Sequence, residues 1–385
     1  MTAADHTDPR LGKALDRALD LGEIGIAVAA YHRGELVVDA VAGVTDVTTG
    51  APVDERTLFP VFSVTKGVTA TALHLQAERG LVDLRAPIAR YWPEFAAGGK
   101  QSITVEQALS HRAGIPQMPE GVTPELLADW EWMTDRIAGF TPLYEPGTTS
   151  AYHVLVWGWI VGEVVRRTDP AHRPFDVFVT EEICAPLGVT DFHLGVCDDD
   201  LSRVATLYGG NAFAISDEHG ISPQAVFPGS DVHNQPVMRQ AVDPGAGAIA
   251  TAGSVARIFA MLAEGGRLDG VRLLSPDRVA TFTRPRTDAH APDQVLTIPV
   301  WFGANGFWLG GEPGASDPLV GDHRSVIYSP GAGGSLAWAD LRDRIAVAIC
   351  HNNMDAPVSA GPGSTFEPVV RAIREIVAER EGSMR

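Results

Sequence analysis

The tetrapeptide from Ser63 to Lys66, SVTK, places a hydroxyl and an amine three residues apart. Lysine is rare in this chain, since only three of its 30 basic side chains are lysines. Arginine serves equally well as an exposed cation but not as a proton acceptor, because it keeps its proton in proteins whereas a desolvated lysine can lose it. The pair therefore indicates a serine nucleophile with a lysine base.

This pair is expected at the start of a helix that ends near Gly80. Ser63 would then lie where free backbone N–H groups and the helix dipole favour negative charge. Lys66, at i+3, would share its face. The alternative is a serine N-cap beside a solvated lysine. The apolar residues that follow helical spacing are Val64, Val68, Ala72 and Leu75.

Nearly the whole chain resembles the serine esterases and DD-peptidases related to class C β-lactamases, the penicillin-recognising serine hydrolases. The segments that carry the resemblance are LFPVFSVTKGVTATALHLQAERGLVDLRAPIARYWPEF, ITVEQALSHRAGIP, YEPGTTSAYHVLVWGWIVGEVVRR, GAGAIATAGSVARIFAMLAEGGRLDGVRLLSP and PGAGGSLAWAD. The resemblance implies an acyl-enzyme on Ser63 and no cofactor.

The second motif of that family, Tyr-x-Asn, falls on residues 152–154, at the expected start of a helix. The resemblance implies that Tyr152 and Lys66 together deprotonate Ser63 and later protonate the leaving group. A nearby ammonium favours the phenolate form of a tyrosine. The alternatives are a buried core tyrosine and, as local competitor, Tyr144.

The third motif, Lys-Thr-Gly in β-lactamases, is matched by Ser329-Pro330-Gly331. Glycines here suit a strand that approaches a substrate closely. In the family, the residue after this motif donates its backbone N–H to the oxyanion, which makes Ala332 and Ser63 the expected pair of donors. The alternative is a glycine-rich strand and turn without a catalytic role.

Two departures from the β-lactamase pattern bear on the substrate. Val154 replaces the asparagine of the second motif, a loss that esterases of the family tolerate. Ser329 replaces a lysine, so a substrate carboxylate has no evident partner unless Arg324 or His323 supplies one. His153 is a candidate substrate contact, with space filling as the alternative.

The remaining candidates are an apolar acyl pocket and a weak nucleotide fingerprint. Trp157, Trp308 and Trp338 are the tryptophans expected to line the pocket. The expected substrate-binding residues are thus His153, Ser329, Gly331, Gly333, Trp157, Trp308 and Trp338.

GAGAIA, from Gly245, matches a dinucleotide fingerprint without a βαβ unit and is interpreted as a loop. The scattered histidines predict no metal site.

Strand-like segments near both ends of the chain and helices between them predict an α/β (α+β) fold. By resemblance it is β-lactamase/transpeptidase-like: an antiparallel sheet flanked by N- and C-terminal helices, plus an inserted, mostly helical domain. The predicted boundaries are 1–82 with 289–385 for the discontinuous α/β domain and 83–288 for the helical one, with the active site between them. Residues 10–21 and 366–381 are the expected terminal helices, and a hairpin is expected around 32–34.

Composition restricts the partners. The formal net charge is −18 and no basic cluster stands out, which disfavours nucleic acid and anionic membranes. The three cysteines form no CxxC pair, and the N-terminal residues lack the pattern of a signal peptide. We expect a cytoplasmic protein that acts on a small ester or acyl substrate, with its oligomeric state open.

Four functions remain in competition. The first is hydrolysis of small carboxylic esters through acyl-Ser63, and the second is acyl transfer from the same intermediate to an alcohol or amine. The third is a β-lactamase or DD-peptidase activity, which the two departures disfavour. The fourth is a non-catalytic binding homologue, against which the intact Ser63, Lys66 and Tyr152 set speaks.

The choice of lysine over arginine gives the first testable prediction. Lys66→Arg is expected to reduce ester hydrolysis as strongly as Lys66→Ala, because arginine keeps the charge but not the removable proton. The measurement is kcat/KM for p-nitrophenyl butyrate on both variants. Recovery of most activity in the arginine variant would make Lys66 an electrostatic group rather than a base.

Overall fold

The computed structural model describes residues 8–210 and 218–383, and its framework is a seven-stranded antiparallel sheet with helices on both faces. Residues 1–7, the beginning of the segment searched for a signal peptide, lie outside the described residues. The strands are β1 (Gly25–His32), β2 (Glu35–Asp46), β3 (Ala51–Pro52), β4 (Phe59–Pro60), β5 (Phe192–Leu194), β6 (Ala248–Ala250), β7 (Arg267–Leu268), β8 (Val271–Arg272), β9 (Trp308–Leu309), β10 (Val326–Pro330), β11 (Leu336–Asp340) and β12 (Ile345–His351).

The helices occupy the termini and the long middle of the chain. They are α1 (Pro9–Asp20), α2 (Val64–Glu78), α3 (Val105–Leu109), α4 (Pro124–Leu127), α5 (Trp130–Ala138), α6 (Trp157–Thr168), α7 (Phe175–Val179), α8 (Ser230–His233), α9 (Pro236–Gln240), α10 (Ala252–Ala263), α11 (Pro276–Ala280) and α12 (Phe366–Ser383). In the described ranges, no helix combines the length and the apolarity needed to cross a bilayer.

The large sheet has the strand order β3-β2-β1-β12-β11-β10-β9, so the N-terminal hairpin pairs with the C-terminal strands. The predicted hairpin is confirmed: β1 and β2 are joined through Arg33 and Gly34, which both have positive φ. The predicted terminal helices are confirmed as α1 and α12, which pack against each other. A smaller sheet, in the order β4-β6-β5, carries the chain into α2.

Alternation along the central strands gives the sheet two different buried faces. Val28, Trp338 and Val347 belong to the core that includes α1 and α12. Ala29 and Ala348 belong to the opposite core, which includes α2 and α10. Small side chains on this second face allow helices to lie close to the sheet. The two faces thus separate a structural layer from the layer that carries Ser63.

The domain boundaries remain a prediction, and α10 is informative about them. This helix lies in the segment 83–288 that was expected to form the helical domain, yet it packs against β1, β11 and β12. Its N-cap is Thr251, whose side chain accepts from the Ser254 amide. Helix α10 therefore belongs structurally to the sheet layer rather than to the inserted helices.

Close backbone approach constrains α6. A Cβ atom on Gly158 would lie 2.1 Å from the amide nitrogen of Gly245 and 2.4 Å from the carbonyl carbon of Pro244. Backbone atoms cannot yield as a flexible side chain does, so this helix position requires glycine. The turn at 244–245 is therefore held directly against α6.

Gly158→Ala is expected to lower the free energy of unfolding by about 3 kcal/mol, the upper end of the usual overpacking cost. The matched control is Gly12→Ala in α1, where a Cβ meets nothing within 4 Å and helix propensity favours alanine by up to about 1 kcal/mol. Urea titration of both variants measures the two effects. Equal stabilities for the two variants would contradict the close approach.

Candidate active site

Ser63 lies at the first turn of α2, directly after a strained residue. Phe62 has φ +47°, a left-handed conformation that is rare for a bulky side chain and is often found at functional sites. The Val61 amide, which donates to the Ala248 carbonyl at 2.9 Å, holds this turn. Ser63 is 8 % exposed, so its hydroxyl is largely enclosed.

Lys66 is buried and donates three hydrogen bonds. Its Nζ lies 2.9 Å from Ser63 Oγ, 2.7 Å from the Val154 carbonyl oxygen and 2.9 Å from the Gly245 carbonyl oxygen. Three acceptors match the three protons of an ammonium group. Burial lowers the pKa of Lys66, and the charge of Asp243 partly opposes that shift. The amine is thus positioned on Ser63 and is easier to deprotonate than an exposed lysine.

The sequence predicts that Tyr152 lies at the start of a helix. The structure instead places it in the loop before α6. Its backbone N–H donates to Asp293 Oδ1 at 2.9 Å, and its ring meets the Trp308 ring edge-on at 5.7 Å. Burial raises the pKa of Tyr152 to about 12, although hydrogen bonds with Ser63 and Trp308 lower it. Tyr152 is therefore a phenol that can donate a proton, and its role as the partner of Lys66 in catalysis stays a prediction.

Asp293, a residue that sequence reasoning missed, holds the Tyr152 loop. Besides the Tyr152 amide, its carboxylate accepts from Ser150 Oγ at 2.9 Å and from the amides of Val295 and Leu296. It therefore links the Tyr152 loop to the segment that contains Leu296. A lone aspartate in a loop carries no sequence signal for this task.

The third motif lies beside the nucleophile. Ser329 Oγ donates to the Ser63 backbone oxygen at 2.7 Å, so its hydroxyl supports the chain at the nucleophile. A Cβ on Gly331 would lie 2.4 Å from the Val61 oxygen, so only glycine fits there. Ser63 and Ala332 line the same cavity, and within the described ranges neither of their amides donates to another protein group.

The cavity above Ser63 has a volume of about 140 Å³. Apart from the hydroxyls of Ser63 and Tyr152 and the indole N–H of Trp308, the side chains around it are apolar, and no charged side chain of the described residues is among them. Its lining consists of Phe62, Ser63, Tyr152, Val154, Leu155, Phe227, Pro228, Ala246, Leu296, Trp308, Pro330, Gly331 and Ala332. The arrangement suits an uncharged, apolar group.

Three predicted substrate contacts lie elsewhere. Trp157 is buried beneath the site, where its Nε1 donates to the Leu109 oxygen at 3.3 Å. Trp338 is on the opposite face of the sheet and lines another cavity, of about 380 Å³, beside α12. Gly333 lies against the Met354 side chain, and both residues line a third cavity. Of the predicted tryptophans, only Trp308, on the edge strand β9, lines the cavity above Ser63, whereas Trp338 belongs to the core beside α1 and α12.

His153 is also absent from the lining of the cavity above Ser63. It is fully buried, its Nε2 accepts from the Ile115 amide at 3.3 Å, and its Nδ1 donates to the Ala151 oxygen at 2.5 Å. Burial lowers the pKa of His153 to about 4, so the ring is neutral. Both ring nitrogens are occupied by backbone groups, which makes its role structural.

Neither substitute for the missing cation lines the cavity. Arg324 pairs with Glu312 and stacks over Trp301, with its guanidinium carbon 4.9 Å from the ring centroid. His323 Nε2 lies 2.8 Å from Asp340 Oδ2, and together with Asp343 these residues form a group with metal-ligand atom types beside the 380 Å³ cavity. That group is remote from Ser63 and takes no part in the site.

Sequence reasoning also missed the carbonyl groups that hold Lys66. In the sequence, Val154 stands out only as the replacement of an asparagine, yet its backbone oxygen accepts from the amine. The segment GAGAIA predicts only a loop, yet its first glycine, Gly245, supplies a second acceptor. Backbone acceptors are independent of residue type, so no residue pattern indicates them.

The family model described as Beta-lactamase matches residues 11–367. The chain belongs to the beta-lactamase family. Within this family it is similar to the esterase/beta-lactamase LipL of Mycobacterium tuberculosis (strain ATCC 25618 / H37Rv), with 32% identity over 372 residues, which are 92% of this chain and 83% of that protein.

Two solved structures support the same assignment. A family VIII carboxylesterase superposes with a TM-score of 0.86 at 29% identity, covering 97% of this chain and 98% of that one. A penicillin-binding protein homologue from Caulobacter crescentus superposes with a TM-score of 0.81 at 31% identity, covering 95% and 96%. The predicted β-lactamase/transpeptidase-like fold is therefore confirmed.

Proposed function

We propose that this member of the beta-lactamase family is a serine hydrolase that cleaves small, uncharged carboxylic esters through an acyl-Ser63 intermediate. The observation that carries the proposal is the 2.9 Å contact between the buried Lys66 amine and Ser63 Oγ at the base of an apolar cavity. The names of an esterase relative and a carboxylesterase neighbour support the same reaction class.

Acylation begins from the neutral form of Lys66. Two of its N–H bonds remain on the Val154 and Gly245 carbonyl oxygens, and its lone pair takes the Ser63 proton as Oγ attacks the ester carbonyl carbon. The carbonyl oxygen becomes negative and is stabilised by the backbone N–H groups of Ser63 and Ala332. Each such donor contributes roughly 3 kcal/mol to an acyl-transfer transition state.

Departure of the alcohol requires a proton, and Tyr152 is suited to supply it. Because its phenol is protonated at neutral pH, Tyr152 donates to the leaving alkoxide and recovers a proton from the Lys66 ammonium. In the second half-reaction, water attacks the acyl-Ser63 carbonyl and gives up its proton to the same base. The carboxylic acid leaves, and Ser63 regains its hydrogen.

The cavity supports a neutral substrate. A carboxylate buried among Leu155, Leu296 and Trp308 would lose its hydration without gaining a charged partner. An apolar acyl or alcohol group gains from the same burial at about 25 cal/mol per Å². The substrate class is therefore small esters without a carboxylate next to the reacting bond.

Acyl transfer to an alcohol or amine differs from this reaction only in the group that attacks acyl-Ser63, and it stays an alternative prediction. The cytoplasmic location and the lack of a nucleic-acid partner likewise stay predictions from the sequence. Product analysis with an added alcohol separates hydrolysis from transfer, because transfer yields a new ester at the expense of the acid.

Ser63→Ala is expected to lower kcat for p-nitrophenyl butyrate by at least about a thousandfold while leaving the fold intact, because the nucleophile is removed. The matched control is Ser222→Ala, a fully buried serine outside the cavity whose Oγ has no partner in the described part of the chain. Circular dichroism compares the folds. Near-normal turnover by the Ser63 variant would exclude Ser63 as the nucleophile.

Nitrocefin is expected to be a much poorer substrate than p-nitrophenyl butyrate. The name of the LipL relative includes both esterase and beta-lactamase, so it does not distinguish between the two substrates. The apolar cavity is the feature that favours the ester. Two missing hydrogen bonds to charged or amide groups, each worth about 1.5–3 kcal/mol, lower kcat/KM by roughly two to four orders of magnitude. A higher kcat/KM for nitrocefin on the same preparation would overturn the esterase assignment.

A further inference from the structure

Asp243 is a buried carboxylate that accepts from the turn on which the catalytic amine is bound, and it has no role in the reaction described above. It is 1 % exposed and lies just before β6. Its Oδ1 accepts from the amides of Gly245 at 2.7 Å and Ala246 at 3.1 Å. Its Oδ2 is buried and has no hydrogen-bond partner among the described residues. A buried, half-satisfied carboxylate is costly, which makes its presence here informative.

The turn that Asp243 fixes is in contact with the site at two points. The Gly245 carbonyl oxygen accepts from Lys66 Nζ at 2.9 Å, and Ala246 lines the cavity. Thr69 Oγ1, one helical turn after Lys66, donates to the Pro244 oxygen at 2.7 Å and ties the turn to α2. The carboxylate thus determines where one of the three acceptors of the lysine amine lies.

Asp243 also differs in charge from the other titratable groups that face Lys66. Burial lowers the pKa of His111 well below its usual range and that of His153 to about 4, so both rings are neutral. Burial raises the pKa of Tyr152 to about 12, so the phenol is also neutral. Burial raises the pKa of Asp243, but the amides of Gly245 and Ala246 and the Lys66 charge favour its ionised form.

We propose that Asp243 is a positioning residue with two effects on Lys66: its carboxylate holds the turn that presents the Gly245 carbonyl, and its negative charge sets the pH above which Lys66 becomes a base. This inference rests on the proposed function, in which neutral Lys66 accepts the Ser63 proton. Asp243 touches neither the substrate nor the reacting atoms.

The two effects are separable with two substitutions. Asp243→Asn keeps an oxygen for the Gly245 and Ala246 amides but removes the charge, whereas Asp243→Ala removes both. Without the charge, the ammonium form of Lys66 loses a stabilising neighbour, so its proton is lost at lower pH. An opposite charge nearby typically shifts a pKa by about 1–3 units.

The experiment records kcat/KM for p-nitrophenyl butyrate against pH, read at the isosbestic wavelength of p-nitrophenol. The acid limb of Asp243→Asn is expected about one pH unit or more below that of the wild type. Asp243→Ala is expected to show the same shift and a plateau roughly ten- to a hundredfold lower, because the turn is no longer fixed. If Asp243 had only a structural role, replacing it would lower the plateau of kcat/KM without moving the acid limb of the pH profile.

Asp340→Asn is the matched control, since Asp340 also caps a turn by accepting from two amides, those of Arg342 and Asp343, but lies beside the other cavity. Its profile is expected to coincide with that of the wild type. If Asp243→Asn does not fold, Asp243→Ser, a neutral and short acceptor, replaces it.

An unmoved acid limb in a folded, active Asp243→Asn enzyme would overturn the inference and leave the esterase function standing. The pH dependence of fluorophosphonate labelling of Ser63 gives the same comparison without ester turnover. If Ser63 is never labelled in the wild type, the proposed function itself fails. The two failures are therefore distinguishable.

Discussion

A buried amine is tolerated in a protein only when hydrogen-bond acceptors replace the water that it has lost, and this constraint organises the site around Lys66. The acceptors come from three separate segments: Ser63 at the start of α2, Val154 in the loop before α6, and Gly245 in the turn before β6. Removing any one of them would leave a buried proton of the ammonium unpaired. The convergence of these three segments is therefore a requirement of the lysine as well as a feature of the fold.

Convergence of backbone segments requires small residues and some strain. Gly158 lets α6 lie against the Gly245 turn, and Gly331 lets the third motif approach Val61. Phe62 adopts a left-handed conformation to direct Ser63 towards the cavity. Strain of this kind costs about 1–3 kcal/mol per residue and persists where the surroundings determine the conformation. Here the Phe62 side chain packs against Leu207, Met354 and the His233 ring, which hold it in place.

The sequence was sufficient for the fold class, the hairpin, both terminal helices and the pairing of Ser63 with Lys66, because these depend on periodicity and on residue types at short spacing. It failed where tertiary burial decides the outcome. Trp338 lies on the opposite face of the folded sheet, and burial raises the pKa of Tyr152, an effect that the neighbouring residue types do not reveal. The backbone acceptors at Val154 and Gly245 carry no side-chain signature at all.

The central claim is that Ser63, activated by Lys66, forms the covalent intermediate. Intact-protein mass spectrometry after treatment with a fluorophosphonate, followed by peptide mapping, tests it most directly. The account predicts one adduct per chain on the peptide that contains Ser63, and strongly slowed labelling when Lys66 is replaced by alanine. An adduct on another serine, or continued ester turnover without any adduct, would contradict it.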